Sequence, residues 1–322
     1  MENFVISKII EVVPYDPNWP KLFEIEAAAI RQVLGENAIA IHHIGSTSVP
    51  GLLAKPTIDI IAEVKNGSQS ITPLEKTGFS YKGEWNIPFK YGFIKRGNTN
   101  VNLHVFEERH PEIELNLVFR DHLRASPQAL KEYAELKKNL LSIATSFQKQ
   151  ERHLFSGYNL GKDAFIRKIL KVAEFDRLRF LKCTHYQEWE AYHHIVTEQI
   201  FDPIHVAYDK NHSSITAENH FHFVLSKGTV IVTVAHVEFL NENEAALRSL
   251  ATDENYKRRG FGKVMMDLLE KWLKQQGKTI IKIHVTLRAE QFYRKLGYIE
   301  MPFNDPEGQQ GSACDISMGK NL

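Results

Sequence analysis

The residues able to do chemistry fall into two clusters far apart along the chain. The later one runs from Ala246-Leu-Arg-Ser-Leu-Ala-Thr252 through Lys257-Arg-Arg-Gly-Phe-Gly-Lys263 to Leu269. A strand enters a basic, glycine-bearing turn and passes directly into an amphipathic helix, with Val264, Leu268, Trp272 and Leu273 as the expected core stripe. The amides that open a helix have no intrahelical acceptor, so they attract anionic phosphate. Gly260 and Gly262 remove Cβ atoms where a pyrophosphate would approach, and Arg258, Arg259 and Lys263 add positive charge. On the glycine pair alone, a phosphate cradle and a simple helix start are both open.

Upstream, alternation in Val232-Thr-Val-Ala-His-Val-Glu-Phe239 puts Val232, Val234, His236 and Glu238 on one strand face. An imidazole or carboxylate on an apolar face is a natural place for a shifted pKa. His236 and Glu238 are therefore candidate bases, with a solvent-facing strand end as the plain alternative. Eight of the fifteen histidines lie between residues 185 and 236. His220-x-His222 is good zinc-ligand geometry. No third ligand is marked by spacing, so the expectation is no metal there, and an acceptor pocket lined by His193, His222 and His236.

The earlier cluster is Ile41-His-His-Ile-Gly-Ser-Thr-Ser-Val-Pro-Gly-Leu-Leu-Ala-Lys-Pro-Thr-Ile-Asp-Ile-Ile-Ala-Glu63. A strand ends in Gly-Ser-Thr, and an apolar strand follows that is interrupted by Asp59. A charge inside an apolar strand is costly unless it is paired or solvated in a cleft, which makes Asp59 a site candidate. Gly45, Ser46, Lys55, Arg120 and Lys162 are candidate anion contacts, and His104 is a candidate ligand or base.

These clusters need elements to hold them. The pattern predicts helix 18–34, strands 39–44 and 57–64, a helix near 68–77, strands within 79–119, and helices 127–147 and 162–174. A second series follows: strand 177–183, helix 186–200, strands 220–226, 229–239 and 245–252, helix 260–276, strand 279–285, helix 288–296 and late strands. Lys227-Gly228 fits a tight hairpin turn. Both series are mixed α/β (α+β), so the expected domains are 1–174 and 175–322. The length of 322 residues agrees, at roughly 150 residues per domain.

The second cluster of elements contains Phe292-Tyr-Arg-Lys-Leu-Gly-Tyr298, one helix and one strand beyond Lys257-Arg-Arg-Gly-Phe-Gly262. Together these resemble the two signatures of the GNAT superfamily, the Gcn5-related N-acetyltransferases, over roughly residues 176–320. The resemblance implies transfer of an acetyl group from acetyl-CoA to an amine on a small molecule or peptide. It implies pyrophosphate on the amides of Arg258 to Lys263 and a pantetheine arm along Leu250, Ala251 and Thr252. Tyr293 would be the general acid for the CoA thiolate, where a residue packing in the helix core is the plain reading. Lys257 and Thr286 depart from the family's usual Gln or Arg and Asn.

The earlier cluster, with Asn102-Leu-His-Val105, Leu117-Val-Phe-Arg-Asp-His-Leu-Arg124 and Tyr158-Asn-Leu-Gly-Lys-Asp-Ala-Phe165, resembles the GrpB family (UPF0157) over about residues 8–174. That resemblance implies a nucleotidyltransferase-like mixed sheet. Nucleotidyl transfer uses a Gly-Ser loop and two or three carboxylates holding divalent metals. Here Ile61 stands in the second position of the Asp-x-Asp pair, with Glu63 two residues further on. A divalent metal or nucleotide, nucleotidyl or phosphoryl transfer, and a non-catalytic binding module all stay open for this domain.

Composition narrows the field. The chain has 40 basic and 39 acidic residues, and neither half carries the basic excess that signals a nucleic-acid partner. Two cysteines, Cys183 and Cys314, are too few for a disulfide framework and suggest a reducing compartment. No apolar stretch reaches membrane-spanning length. A cytoplasmic protein is the expectation.

Overall fold

In the computed structural model, residues 11–143, 157–305 and 316–322 are described, and Cys314 lies outside them. The chain divides into two compact units, Met1–Arg177 and Leu178–Leu322.

The first unit contains α1 (Trp19–Leu34), β1 (Ala38–Ile44), β2 (Ile58–Val64), α2 (Ile71–Glu75), β3 (Ser80–Gly83), β4 (Tyr91–Lys95) and β5 (Val101–Glu107). Four helices follow: α3 (Pro111–Ala125), α4 (Pro127–Ile143), α5 (Gly157–Leu160) and α6 (Asp163–Val172). The sheet order is β1-β2-β5-β4-β3. Only β2 and β5 run parallel, which makes it a mixed sheet. A central strand covered on both faces reads as a continuous apolar run, as Ile58-Asp-Ile-Ile-Ala-Glu-Val64 nearly does. Ile58, Ile60, Ala62 and Val64 pack in one core cluster with Trp19, Ile30 and Leu34 of α1. Ile61 packs instead with Ile44, Phe106 and Ile113 of α3, so Asp59 belongs to the α3 side of the sheet.

One expectation fails here. The region read as strands up to residue 119 becomes helix α3 from Pro111 onward. Leu115-Asn-Leu-Val-Phe119 has strand-like composition, but the start signals in front of it prevail. Pro111 sits in the first turn, Glu112 and Glu114 complement the helix dipole, and His110 Nδ1 accepts from Glu112 N at 3.3 Å.

The second unit contains β6 (Leu178–Lys182), α7 (Tyr186–Val196), β7 (His220–Lys227), β8 (Val230–Phe239), β9 (Glu244–Thr252) and α8 (Phe261–Gln275). It closes with β10 (Ile280–Val285), α9 (Glu290–Lys295), β11 (Ile299–Glu300) and β12 (Ile316–Asn321). The expected helix 186–200 ends as a wider π-helical turn over Thr197–Phe201. The sheet order is β11-β12-β10-β9-β8-β7-β6, parallel only between β9 and β10. The β7/β8 hairpin closes on Gly228 and Thr229, with Gly228 at φ +57° and Lys227 still paired to Val230.

Trp272 of α8 meets Phe221, Phe223 and Phe239 on one face of the sheet, with ring centroids 4.8–5.6 Å apart. The buried stripe of α8 is Met265, Met266, Leu269, Trp272 and Leu273. The expected Val264 and Leu268 lie at its half-buried flank.

Candidate functional site

The parallel pairing of β9 and β10 stops at Ala246 and Lys282. Beyond that point β9 runs on to Thr252, held on its other edge by β8 and without strand partners toward β10. At the same place Val237 pairs with Leu247 and His236 with Ser249, so Arg248 is an extra, bulged residue. The strands part where the bulge twists β9 away. Leu250, Ala251 and Thr252 therefore present an open backbone edge.

The turn after β9 is locally encoded. Asp253 Oδ1 accepts from Asn255 N at 2.9 Å, capping a short 3-10 turn, and Arg258 and Gly260 adopt φ of +60° and +85°. The first bond of α8 runs from Val264 N to Gly260 O at 3.1 Å. The amides of Phe261, Gly262 and Lys263 find no acceptor among the described residues. Lys257 and Lys263 rest on Glu254 and Asp267 in exposed pairs, which a ligand can displace at little cost. Arg259 lies 5.3 Å from the Tyr256 ring.

A Cβ on Gly262 would lie 3.5 Å from the Phe292 ring and 3.7 Å from Thr252 Oγ1. The α8 start, the end of β9 and α9 thus converge. Tyr293 is buried in α9, with its ring edge-on to Phe292 and Tyr298 at 5.0 and 5.4 Å. Its hydroxyl has no hydrogen-bond partner among the described residues, and burial pushes the phenol up, so it holds its proton at neutral pH. The Thr286 carbonyl accepts from Ala289 and Glu290 and so caps α9.

Neither candidate base is free. Glu238 is buried against Arg248, whose Nε lies 2.7 Å from it, and Arg248 also reaches Asp305 at 2.5 and 2.8 Å. Sequence alone did not reveal this pairing, because the bulge re-aims Arg248. His236 Nε2 lies 2.8 Å from His220 Nδ1, and its ring stacks on His222 at 4.1 Å. Burial, then the neighbouring imidazoles, lowers His236 to about 2. His222 falls to about 4, chiefly through burial.

Both nitrogens of His222 are engaged, with Tyr192 Oη at 2.9 Å and the Ser214 carbonyl at 3.0 Å. His193 Nδ1 meets Tyr208 Oη at 2.8 Å. Trp189 bridges His193 and His222, at 5.5 and 5.3 Å, so the three expected acceptor-pocket histidines form one ring-to-ring row. No group of three or more His, Cys, Asp or Glu able to hold a metal occurs among the described residues.

In the first unit, Asp59 pairs in register with Ile44 and Asn102, and Asn102 Nδ2 donates to Asp59 Oδ1 at 2.8 Å. Burial pushes the carboxyl up, opposed by that hydrogen bond and by Lys162 and Lys55. Gly45, at φ +67°, lies so close that a Cβ there would overlap the Asp59 carboxylate. Ser46 Oγ accepts from Lys137 Nζ at 2.8 Å.

Glu63 is turned to His42, 3.8 Å away, and does not join Asp59. His104 shares the Asp59 face, and burial with Lys90 nearby keeps it neutral. Arg120 is engaged elsewhere, donating to the His43 carbonyl at 3.0 Å and pairing with Asp121 at 2.7 Å. The carboxylate set that two-metal nucleotidyl transfer requires is therefore not assembled. The structure adds Lys137, 2% exposed and absent from the expected site. Its signal was a lysine one turn beyond Tyr133 on the buried stripe of α4.

Comparison with known proteins places these two units. The GrpB protein family matches residues 9–172, and the acetyltransferase (GNAT) family matches residues 181–298. A UPF0157 protein of Halalkalibacterium halodurans is 40% identical over 167 residues, covering 51% of this chain and 82% of that protein. The Bacillus subtilis UPF0157 protein YqkA is 38% identical over 177 residues, covering 54% of this chain but 48% of its own length. Among solved structures, the PaiA N-acetyltransferase of Thermoplasma acidophilum in complex with coenzyme A is 14% identical. That match covers 45% of this chain and 99% of that one, with a TM-score of 0.37. The chain belongs to the GrpB family through its first unit, and its second unit carries the match to the acetyltransferase (GNAT) family model.

Proposed function

We propose that the second unit transfers the acetyl group of acetyl-CoA to an amine of a small molecule or peptide. The observation that carries this reading is the convergence of three features: the acceptor-free amides of Phe261 to Lys263, the open edge of β9, and the unpartnered Tyr293 hydroxyl. The amides and the Arg258, Arg259 and Lys263 side chains would hold the pyrophosphate. The Leu250–Thr252 edge would pair with the amide-bearing arm as an added strand would. When bound, the cofactor supplies a thioester carbonyl open to attack. Tyr293, kept protonated by burial, would donate its proton to the departing sulfur.

Glu238 is neutralised by Arg248, and His236 is held neutral far below its ordinary range. Both line the sheet face rather than serve as a strong base, so the acceptor enters as the free amine and its proton leaves through water. Calorimetry with acetyl-CoA, coupled to thiol release on a panel of amines, tests the reading. Saturable binding with amine-dependent thiol release is expected, and absence of binding would sink it.

A further inference from the structure

The residue that the β9 bulge inserts, Arg248, joins three parts of the second unit: β9 itself, Glu238 of β8, and Asp305 in the chain beyond β11. Its Nε and Nη2 both donate to Glu238 Oε2, the first at 2.7 Å. Nη1 and Nη2 grip Asp305 Oδ2 and Oδ1 at 2.5 and 2.8 Å. The three side chains are only 5–8% exposed. Burial opposes the charge on the guanidinium, and the bonds to Asp305 and Glu238 outweigh it. Both carboxylates are held further. Asn219 Nδ2 donates to Glu238 Oε1 at 3.2 Å, and His284 Nε2 lies 3.4 Å from Asp305 Oδ2. Phe303, two residues before Asp305, stacks on the His284 ring at 4.7 Å.

A buried ion triad is weak evidence for stability, and its best-attested use is to fix a register. β9 has a register to fix. Asp253 N donates to Val232 O at 3.0 Å. Alternation from that bond turns the backbone groups of Ala251 to β8 and those of Leu250 and Thr252 to the open edge. With Arg248 in the ladder opposite His236, the order would reverse. Leu250 and Thr252 would bond to β8, and Ala251 would face outward. Arg248 would then stand where Ser249 now does, beside His236 rather than between the two carboxylates. The triad therefore favours the bulged register.

We propose that Arg248 is a positioning residue, clamped by Glu238 and Asp305 so that β9 stays bulged and offers Leu250 and Thr252 to the cofactor arm. This rests on the reading of the second unit as an acetyl-CoA site, and Arg248 acts on that site through the strand.

Titration of the full chain with CoA and amide hydrogen exchange test the clamp together. Arg248→Lys keeps the charge but has no fork for two carboxylates. Arg248→Met combined with Glu238→Gln and Asp305→Asn removes the triad without leaving a buried charge unpaired. Both should bind CoA about tenfold or more weakly than the parent, at a temperature where circular dichroism shows them folded. In the parent, the Ala251 amide should be protected and the Leu250 and Thr252 amides should exchange. The triple variant should invert that pattern, and Arg248→Lys should exchange faster at Ala251. A merely structural role would lower stability yet leave affinity and exchange pattern unchanged in the folded variants, which would overturn the proposal. Should the triple variant fail to fold, Arg248→Lys decides by the same two readings. A parent that bound no CoA would sink the reading of the second unit, and the exchange pattern would still decide the clamp.

Discussion

The two units present positive potential in opposite ways. In the second, it comes from backbone amides at the start of α8 and from exposed side chains that water solvates when no ligand is bound. In the first, it comes from ammonium groups packed around Ser46 and Tyr158, one of them almost wholly buried. Amide dipoles need no counter-ion, so the α8 start loses little stability when empty. A buried ammonium group such as Lys137, with no carboxylate partner among the described residues, is costly to keep charged and makes the first unit responsive to protonation. The same sign of potential thus comes with low cost in one unit and with stored tension in the other.

The largest effect expected from breaking this comparison is catalytic. Tyr293→Phe removes the proposed proton donor without disturbing the proposed cradle, so turnover should fall about 100-fold while CoA affinity stays unchanged. Parallel kinetics and titration check this, and a fall in affinity of the same size would place Tyr293 in binding instead. Next in size is the glycine pair. Gly260 needs φ +85°, so Gly260→Val introduces about 1–3 kcal/mol of backbone strain and should weaken CoA binding about tenfold or more. Gly262 has ordinary contact distances around a new Cβ, so Gly262→Ala should leave stability within about 0.5 kcal/mol of the parent, and a loss of CoA affinity in this well-folded variant would report a Cβ in the path of the pyrophosphate.

The smallest effects are the pH slopes of stability. Lys137 titrates near 7 in the folded chain and near 10.5 when unfolded, so the unfolded chain binds more protons in between. The first unit should gain stability as pH rises from about 7 to about 10. His222 and His236 titrate near 4 and 2 when folded, against 6.5 unfolded, so the second unit should lose stability as pH falls below about 6.5. Hydrogen exchange resolved by unit measures both slopes, and slopes of the opposite sign would contradict the burial of these groups.

What the sequence made legible follows the range of the interactions involved. The strand, turn and helix around Gly260 are local: periodicity and glycine conformation specify them within twenty residues. The apolar interruption at Asp59 is equally visible. Lys137 was not, because its partner Ser46 lies in another element and helical periodicity treats a lysine on the buried stripe as an exception. Helix α3 was missed because Leu-Val-Phe outweighed the Pro111 and Glu112 start signals. The engagement of Glu238 was hidden for a third reason: Arg248 reaches it only through an irregularity in pairing that alternation cannot anticipate.

That irregularity gives β9 two reading frames. Before Arg248, Ala246 stands opposite Glu238; after it, Ser249 stands opposite His236, so neighbours two apart on β8 answer to residues three apart on β9. Every side chain from Ser249 to Thr252 owes its orientation to that one inserted position. Deleting Arg248 would leave Ser249 opposite His236 and remove only the bulge. Pairing Arg248 into the ladder would instead act as a frameshift in three dimensions: Leu250 and Thr252 would turn to the face that Ala251 now occupies, and the open edge would present a different alphabet to whatever lies along it.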